Sequence, residues 1–183
     1  MLIIIGTVLV DQVSKILVVE FLNREESLVI IKGIFQFTYV ENDGMAFGLL
    51  GEHRWIFMVL SVIGIAAVFI YLWKFRPQSK LACVALSFIV GGGIGNMIDR
   101  IFRMGTQPDT IGKKVVIDFI DFYAFPDLWK YVFNAADSFV CVGAGMLIVY
   151  LVVDLIKETK SSKAQALAEA VGEAEDGGED KDE

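Results

Sequence analysis

The sequence has few of the residues that most hydrolytic and metal-dependent sites require. It holds one histidine, His53, and two cysteines, Cys83 and Cys141, among 183 residues. A single histidine argues against a His-ligated zinc site and against most Ser-His or Cys-His pairs. Both cysteines lie inside apolar runs, where such residues usually serve packing, so no structural disulfide is expected. The sequence predicts neither a metal site nor another cofactor.

The net negative charge says little about what the protein binds. The formal net charge is -7, but residues 157–183 contain four Lys and nine Asp or Glu and account for -5 of it, which leaves -2 for the rest. No nucleic-acid partner is predicted. The segment 157–183 lacks core-forming residues after Val171, and we expect it to be a disordered cytoplasmic tail.

Long apolar runs are abundant. The chain is 55% hydrophobic, with a mean hydropathy of +0.59. Residues 2–21, 55–73, 81–98 and 138–156 are each long enough to cross a hydrocarbon layer of about 30 Å. The first run has no basic start and no small-residue cleavage site, so we expect a retained helix rather than a signal peptide. The sequence predicts a mainly α integral membrane protein with four transmembrane helices, forming one domain over residues 1–156.

Basic residues give the orientation. One cluster follows the second run and another follows the fourth: Lys74, Arg76, Lys80, and Lys157, Lys160, Lys163. By the positive-inside rule both clusters lie in the cytoplasm. Both termini are then cytoplasmic, and the segments 22–54 and 99–137 lie on the outer side.

The first outer segment favours β structure. Residues 28–31 and 34–40 are rich in β-branched and aromatic residues and flank Lys32-Gly33, which predicts a short hairpin on the membrane surface. A turn signal, Asn42-Asp43-Gly44, follows. Asn42 either belongs to a loop that dips into the interface or offers its amide to a substrate backbone or to acidic residues nearby.

Several polar residues interrupt the spans. Asp11 and Lys15 are spaced i, i+4 and can pair; a structural ion pair that faces the other helices is the favoured interpretation. Asn96 and Arg100 share a helix face at the outer end of the third run. Arg100 either orients a carboxylate or extends toward lipid headgroups. Asp99 is either a third catalytic candidate or the ion-pair partner of a basic residue.

Two further aspartates are the main catalytic candidates. Asp118 follows the strand-like run Val115-Val116-Ile117, and Asp137 opens the fourth span. A carboxylate in the first turn of a membrane span is costly and usually functional. Two carboxyls brought together tend to hold one proton between them. One can then take a proton from water while the other polarises or protonates a substrate carbonyl, which is the chemistry of an aspartic hydrolase.

Four blocks, in this order, resemble the bacterial lipoprotein signal peptidases (signal peptidase II). They are Val10-Asp11-Gln12-Val13-Ser14-Lys15, Glu41-Asn42-Asp43-Gly44-Met45-Ala46-Phe47-Gly48, Gly95-Asn96-Met97-Ile98-Asp99-Arg100, and Val116-Ile117-Asp118-Phe119 with Phe133-Asn134-Ala135-Ala136-Asp137. The resemblance covers residues 10–151 and so includes all four spans.

The resemblance implies a function and a set of site residues. It implies an aspartic endopeptidase of the bacterial cytoplasmic (inner) membrane that cuts prolipoproteins just before a diacylglyceryl-modified cysteine, near the outer face and without a metal. Asp118 and Asp137 would be catalytic, and Asp11 and Lys15 would support the structure. The residues implied to bind substrate, to stabilise the oxyanion or to position groups are Asn42, Asn96, Arg100 and Asn134. The partners implied are the lipid-modified prolipoprotein and membrane lipids, and the enzyme is expected to be a monomer with loops over the active site.

The chain departs from the family's pattern, and other functions remain open at this point. The stretch between Arg100 and Asp118 is longer than usual, the acidic tail is extra, and Met45 stands where a smaller residue is common. The alternatives are a proton-coupled carrier, which would relay protons along intramembrane acids, and a structural scaffold. Most polar motifs gather at one side of the membrane, which favours the peptidase.

Overall fold

Four helices form the bulk of the protein. The computed structural model describes residues 1–22, 25–44, 54–75, 77–124 and 131–176, with side chains in these ranges except those of residues 54, 55, 57 and 164–176. The helices are α1 (Leu2–Phe21), α2 (Arg54–Lys74), α3 (Lys80–Phe102) and α4 (Ala135–Asp176). His53, the block 45–48 and Arg76 lie outside the described residues.

The helices match the predicted membrane spans. By length and composition, Leu2–Phe21, Lys80–Phe102 and Ala135–Lys163 can each cross a membrane, and Met58–Lys74 is a shorter apolar helix. Many large apolar side chains on α1 and α4, such as Leu9, Ile16 and Leu155, are exposed. Such surfaces suit lipid and would be unfavourable in water. The prediction of a mainly helical membrane fold with a small antiparallel sheet is confirmed.

Helix α3 packs against the other three helices. Its consecutive glycines each face a different neighbour: Gly91 faces Thr7 of α1, Gly92 faces the Ala136 carbonyl of α4, and Gly93 faces Ile65 of α2. A Cβ atom at Gly92 would overlap the carbonyl oxygen of Ala136. Small residues of this kind let helix backbones approach closely in a membrane. The close approach brings the first turn of α4, with Asp137, against α3.

A four-stranded antiparallel sheet lies at one end of the helices. Its strands are β1 (Leu28–Ile31), β2 (Phe35–Asn42), β3 (Val116–Phe122) and β4 (Val132–Phe133), in the order β1-β2-β3-β4. The predicted hairpin is confirmed, and its turn uses Gly33 at φ 78°, which glycine adopts without strain. The two-residue β4 was not predicted, since so short a strand leaves no alternation to detect.

The register of β2 and β3 positions the site. Val40 pairs with Asp118, and Asn42 pairs with Val116. Side chains alternate between the two faces of a strand, so Asn42 and Asp118 project from the same face of the sheet. The opposite face carries a small buried cluster: Tyr39, Val115, Ile117 and Phe119.

The end of α4 differs from the prediction. We expected disorder from residue 157, whereas α4 continues to Asp176. Residues 157–176 are rich in Ala, Glu and Lys, which are strong helix formers. The expectation used the absence of core-forming residues, but a helix that continues from a membrane span needs no nucleus of its own. Residues 177–183 lie outside the described part.

Candidate active site

The two catalytic candidates meet where the sheet joins the helices. Asp118 lies in β3 and is 3% exposed. Asp137 lies in the first turn of α4, as predicted, and is half-buried. Asn134 hydrogen-bonds to both carboxyls, through its Nδ2 atom to Asp118 and through its backbone amide to Asp137. The structure therefore brings the two carboxyls into one site, with Asp137 the more accessible.

Two amides hold the Asp118 carboxylate. The Asn42 Nδ2 atom donates to Asp118 Oδ2 at 2.7 Å, and the Asn134 Nδ2 atom donates to Asp118 Oδ1 at 2.7 Å. Asn42 is itself fixed, because its Oδ1 accepts from the Gly44 amide at 2.9 Å in an Asx turn. Of the two interpretations left open for Asn42, the contact with an acidic residue is the one observed.

Asp137 is oriented by the start of its own helix. Asn134 precedes α4, and its Oδ1 accepts from the Asp137 amide at 3.0 Å, while Asp137 Oδ2 accepts from the Asn134 amide at 3.2 Å. This reciprocal pair is a capping box, in which the cap residue and the third helical residue satisfy each other's amides. Asp137 Oδ1 accepts from Asn96 Nδ2 at 2.7 Å, which ties the carboxylate to α3.

Asn134 links the two carboxyls. Its side chain is fully buried, and its Nδ2 donates both to Asp118 and, at 3.0 Å, to Asn96 Oδ1. Both amide hydrogens are therefore engaged with site residues. Because its oxygen caps the Asp137 amide, Asn134 fixes the relative placement of Asp118 and Asp137.

A buried ionic cluster supports the site from α1 and α3. The Lys15 ammonium lies 2.9 Å from Asp11 Oδ2 and 2.9 Å from Asp99 Oδ2, and it donates to Asn96 Oδ1 at 3.0 Å. The predicted Asp11–Lys15 pair is confirmed. Arg103 Nε also lies 3.0 Å from Asp99 Oδ1, so Asp99 is the ion-pair partner of basic residues, the second of its two predicted roles.

Asp11 also joins α1 to α4. Its Oδ1 accepts from the Ala136 amide at 2.9 Å, one residue before Asp137. The approach depends on Gly95, since a Cβ atom there would lie 2.5 Å from Asp11 Oδ2. Residues of α1 and α3, which are distant in sequence, thus converge on the first turn of α4.

Arg100 differs from the other predicted residues. Within the described ranges, no hydrogen bond or ion pair links its guanidinium to a carboxylate, and the side chain is half-buried. The geometry leaves the guanidinium available for another group, and the bidentate contact considered from the sequence is not formed in this structure.

The environment of Asp118 changes its acidity. Burial raises the pKa of Asp118 to about 7, the Asp137 carboxylate adds to the rise, and the Asn42 and Asn134 amides oppose it. A carboxyl with this pKa can hold or release a proton near neutral pH, as general acid–base chemistry requires.

Sequence reasoning did not identify three polar residues next to the site. Gln12 donates to Asp11 Oδ2 at 3.0 Å, Arg103 pairs with Asp99, and Glu41 accepts several hydrogen bonds from the segment between α3 and β3. The i, i+4 spacing of Asp99 and Arg103 was a usable signal. Glu41 gave none, because its donors in the segment between α3 and β3 are more than 60 residues away in the chain.

A metal ion needs several ligands that converge on one point. Among the residues that the structure describes, no three His, Cys, Asp or Glu side chains converge as the ligands of a metal ion would. The acids of the site, Asp11, Asp99, Asp118 and Asp137, are engaged by amides and basic groups instead. The site as built can therefore offer proton transfer and hydrogen bonding to a substrate.

The chain is similar to known proteins over most of its length. A family model described as signal peptidase (SPase) II matches residues 3–153. A lipoprotein signal peptidase of Halothermothrix orenii is 41% identical over 150 residues, covering 82% of this chain and 92% of that protein. A lipoprotein signal peptidase of Clostridioides difficile is 39% identical over 161 residues, covering 87% of this chain and 97% of that protein.

A solved structure shares the fold. It is that of a bacterial membrane enzyme, 28% identical, with a TM-score of 0.70, covering 84% of this chain and 87% of that one. With the apolar helices described above, this similarity identifies an integral membrane protein. The extent of the family match and the identities over most of each chain lead to one conclusion: this protein belongs to the signal peptidase II family.

Proposed function

We propose that this protein removes the signal peptide from diacylglyceryl-modified prolipoproteins by aspartic catalysis, cutting before the lipidated cysteine. Membership of the signal peptidase II family supports the substrate class. One observation carries the catalytic part: Asn134 donates to Asp118 and exchanges hydrogen bonds with Asp137, so the two carboxyls are held as a unit. The hydrogen-bond partners of each carboxyl are neutral amides, so no cation neutralises either carboxyl by direct contact among the described residues.

In the proposed mechanism, the two carboxyls share one proton and hold a water between them. The ionised carboxyl takes a proton from this water, whose oxygen attacks the scissile carbonyl carbon. The protonated carboxyl polarises that carbonyl and then supplies the proton that the departing amine needs. The reaction is a net hydrolysis, and no covalent enzyme intermediate is formed.

The supporting residues take different roles in this proposal. Asn134 and Asn96 position the aspartates, since their amides contact the carboxylates. Asn42 has one amide hydrogen on Asp118 and is half-buried, so its second hydrogen is available to the peptide or the oxyanion. Arg100 is available to a substrate carbonyl. Asp11 and Lys15 hold α1 against α3 and α4.

The proposed location follows from charge and geometry. Both termini lie in the cytoplasm, and the site lies near the outer face of the bacterial cytoplasmic membrane, at the end of the helices that carries the sheet. The exposed apolar surfaces of the helices would face membrane lipids and the acyl chains of the substrate. We propose a monomeric enzyme.

The carrier alternative is less well supported. It requires acids distributed along a path across the membrane, yet Asp11, Lys15, Asp99 and Asp137 form one connected cluster through Asn96. The ion pairs of Lys15 with Asp11 and Asp99 satisfy those charges locally, and the Asn96 amide binds Asp137. A local polar cluster suits a catalytic site better than a relay.

The substrate class is tested with two forms of one precursor. Purified enzyme in detergent is given a diacylglyceryl-modified prolipoprotein or the same precursor with its cysteine unmodified. We expect cleavage of the lipidated form alone, with mass spectrometry placing the new N-terminus at the lipidated cysteine. Equal cleavage of both forms, or a cut at another bond, would contradict the proposal.

The pH dependence tests the shared proton. Because the pKa of Asp118 is raised to about 7, the pair holds a proton below this pH and loses its last proton above it. We expect kcat/KM to fall as pH rises through about 7, by about tenfold per pH unit in the limiting slope. Initial rates from pH 5.5 to 9 measure this. The rate should return when the enzyme is brought back to pH 6.5, and a constant rate from pH 6 to 9 would contradict the prediction.

A further inference from the structure

The carboxylate of Glu41 collects hydrogen bonds from one loop. It is 6% exposed, and it accepts from the Thr106 hydroxyl at 2.6 Å, the Thr106 amide at 2.8 Å, the Gln107 amide at 3.1 Å and the Thr110 hydroxyl. The Tyr39 hydroxyl, on the same strand, donates at 2.8 Å. A buried carboxylate with this many donors is a fixed anchor rather than a solvated charge.

The loop that Glu41 binds joins α3 to β3. We call residues 103–115 the anchored loop. It has internal hydrogen bonds, such as the Gly105 amide to the Lys113 carbonyl at 2.9 Å. Val115, next to β3, is buried, but the larger apolar residues before it face outward: Met104 is 47% exposed and Ile111 is 70% exposed. Residues 103–114 are therefore attached chiefly through polar contacts, and Glu41 accepts most of these hydrogen bonds among the described residues. An ion pair of 2.6 Å between Lys113 and Asp43 is a second, more exposed attachment.

Glu41 immediately precedes Asn42 in β2. Successive side chains of a strand point to opposite faces, so Glu41 points to the anchored loop while Asn42 points to Asp118. The two residues are at the end of the β2–β3 ladder, where Glu41 pairs with Ile117 and Asn42 with Val116. A contact that fixes Glu41 at the end of this ladder also limits the movement of Asn42, because the two share a peptide unit.

We propose that Glu41 is a positioning residue: it clamps the anchored loop to the end of β2 and so holds the Asn42 amide against Asp118. Glu41 faces away from the two aspartates and acts only through Asn42. The proposal rests on the proposed function, since it assumes that the Asn42–Asp118 contact serves cleavage.

The Glu41 side chain stays negatively charged at the pH of any cleavage assay. Burial acts to raise the pKa of Glu41, but the hydrogen bonds from Thr106, Thr110 and Tyr39 outweigh it and lower the pKa to about 2. The carboxylate is therefore ionised throughout the working range of pH. Replacement by Gln keeps the size but removes the charge and puts an NH2 group where an acceptor of amide and hydroxyl hydrogens is needed.

A double-mutant cycle tests the positioning role. We expect Glu41→Gln to lower kcat by about 10- to 100-fold with KM changed by less than about twofold, because a shift of about 1 Å in a positioned group has this effect. In the Asn42→Ala background, Glu41→Gln should lower kcat by less than about twofold further. Asp109→Asn, an exposed acid of the same loop, is the control and should cleave at the wild-type rate.

Three kinetic results would overturn the proposal. They are an unchanged kcat in Glu41→Gln, a rise in KM alone, and effects of Glu41→Gln and Asn42→Ala that multiply. If Glu41→Gln does not fold, Thr110→Val removes a single donor to Glu41 while keeping the side chain's shape. Its smaller loss of kcat should likewise vanish in the Asn42→Ala background, and a persistent loss would contradict the proposal.

Limited trypsin digestion separates this proposal from the proposed function. Arg103, Lys113 and Lys114 are trypsin sites in the anchored loop, and Glu41→Gln should speed cleavage there by at least about fivefold if opening of the loop controls it. Asp109→Asn should not. An unchanged digestion rate would refute the clamp even if the enzyme is active. If the wild type cuts no prolipoprotein, the proposed function fails and the positioning role with it, while digestion still decides whether Glu41 holds the loop.

Discussion

Asp118→Asn and Asp137→Asn should each lower kcat by at least about 1,000-fold while leaving the protein folded. An amide can neither accept a proton from water nor donate one at neutral pH, and general acid–base steps contribute about 10²- to 10⁴-fold each. Because the two carboxyls are proposed to act as a unit, loss of either should remove most of the rate. The measurement is kcat with saturating lipidated precursor, together with thermal unfolding of each variant.

The fold should tolerate both substitutions. In Asp118→Asn, the new NH2 group must face either the Asn42 or the Asn134 amide, both of which donate to Asp118. A mismatch of this kind costs about 1–3 kcal/mol, and removal of a buried negative charge offsets part of it.

Asp121→Asn is the matched control for both variants. Asp121 lies in the same strand as Asp118 and accepts from Gln36 at 2.7 Å and from Thr38 at 3.1 Å, away from Asp137. Its activity should stay within about twofold of wild type, as expected of a substitution outside the chemistry. Retention of more than about a tenth of the wild-type kcat by Asp118→Asn or Asp137→Asn would contradict the catalytic assignment.

Of the substitutions proposed, Lys15→Met should lower the stability of the fold the most. Lys15 is fully buried, as is Asp11, and Asp99 is 1% exposed. Removing the cation leaves two carboxylates buried close together, and breaking a buried pair in this way costs about 3–5 kcal/mol. For a chain of this length the corresponding fall in Tm is about 6–20 °C. Thermal unfolding in detergent measures it.

Two further variants show whether the lost charge causes the fall in Tm of Lys15→Met. Arg103→Gln removes the other cation from Asp99, but Arg103 is 23% exposed, so water can replace it and the Tm should fall by less than half as much. Adding Asp99→Asn to Lys15→Met removes one of the two buried negative charges and should restore part of the lost Tm. A further fall in the double variant would contradict the account.

Much of the helical framework could be predicted from the sequence. The four apolar runs gave the helices to within a few residues at most of their ends, and the period of 3.6 put Asp11 and Lys15 on one face. The hairpin of β1 and β2 was also predictable, because β-branched residues and a turn signal occur within a dozen positions. These features depend on neighbours in sequence, which pattern analysis can detect.

The contacts across the site could not be derived in the same way. Nothing local indicates that Asn42 meets Asp118, that Lys15 reaches Asp99, or that Glu41 binds Thr106, since each pair is separated by more than 60 residues. These contacts depend on the close packing of α3 against α1 and α4 and on the β2–β3 register. The capping box of Asn134 and Asp137 was local and could have been found from its spacing.

Single-turnover cleavage tests the central claim most directly. Excess wild-type enzyme, Asp137→Asn or Asp121→Asn is mixed with one lipidated prolipoprotein, so that product release does not limit the observed rate. The account predicts rapid release of the signal peptide by wild type and Asp121→Asn, and at least about a 1,000-fold slower release by a folded Asp137→Asn. Release by Asp137→Asn at the wild-type rate would show that the aspartate pair does not carry out the hydrolysis.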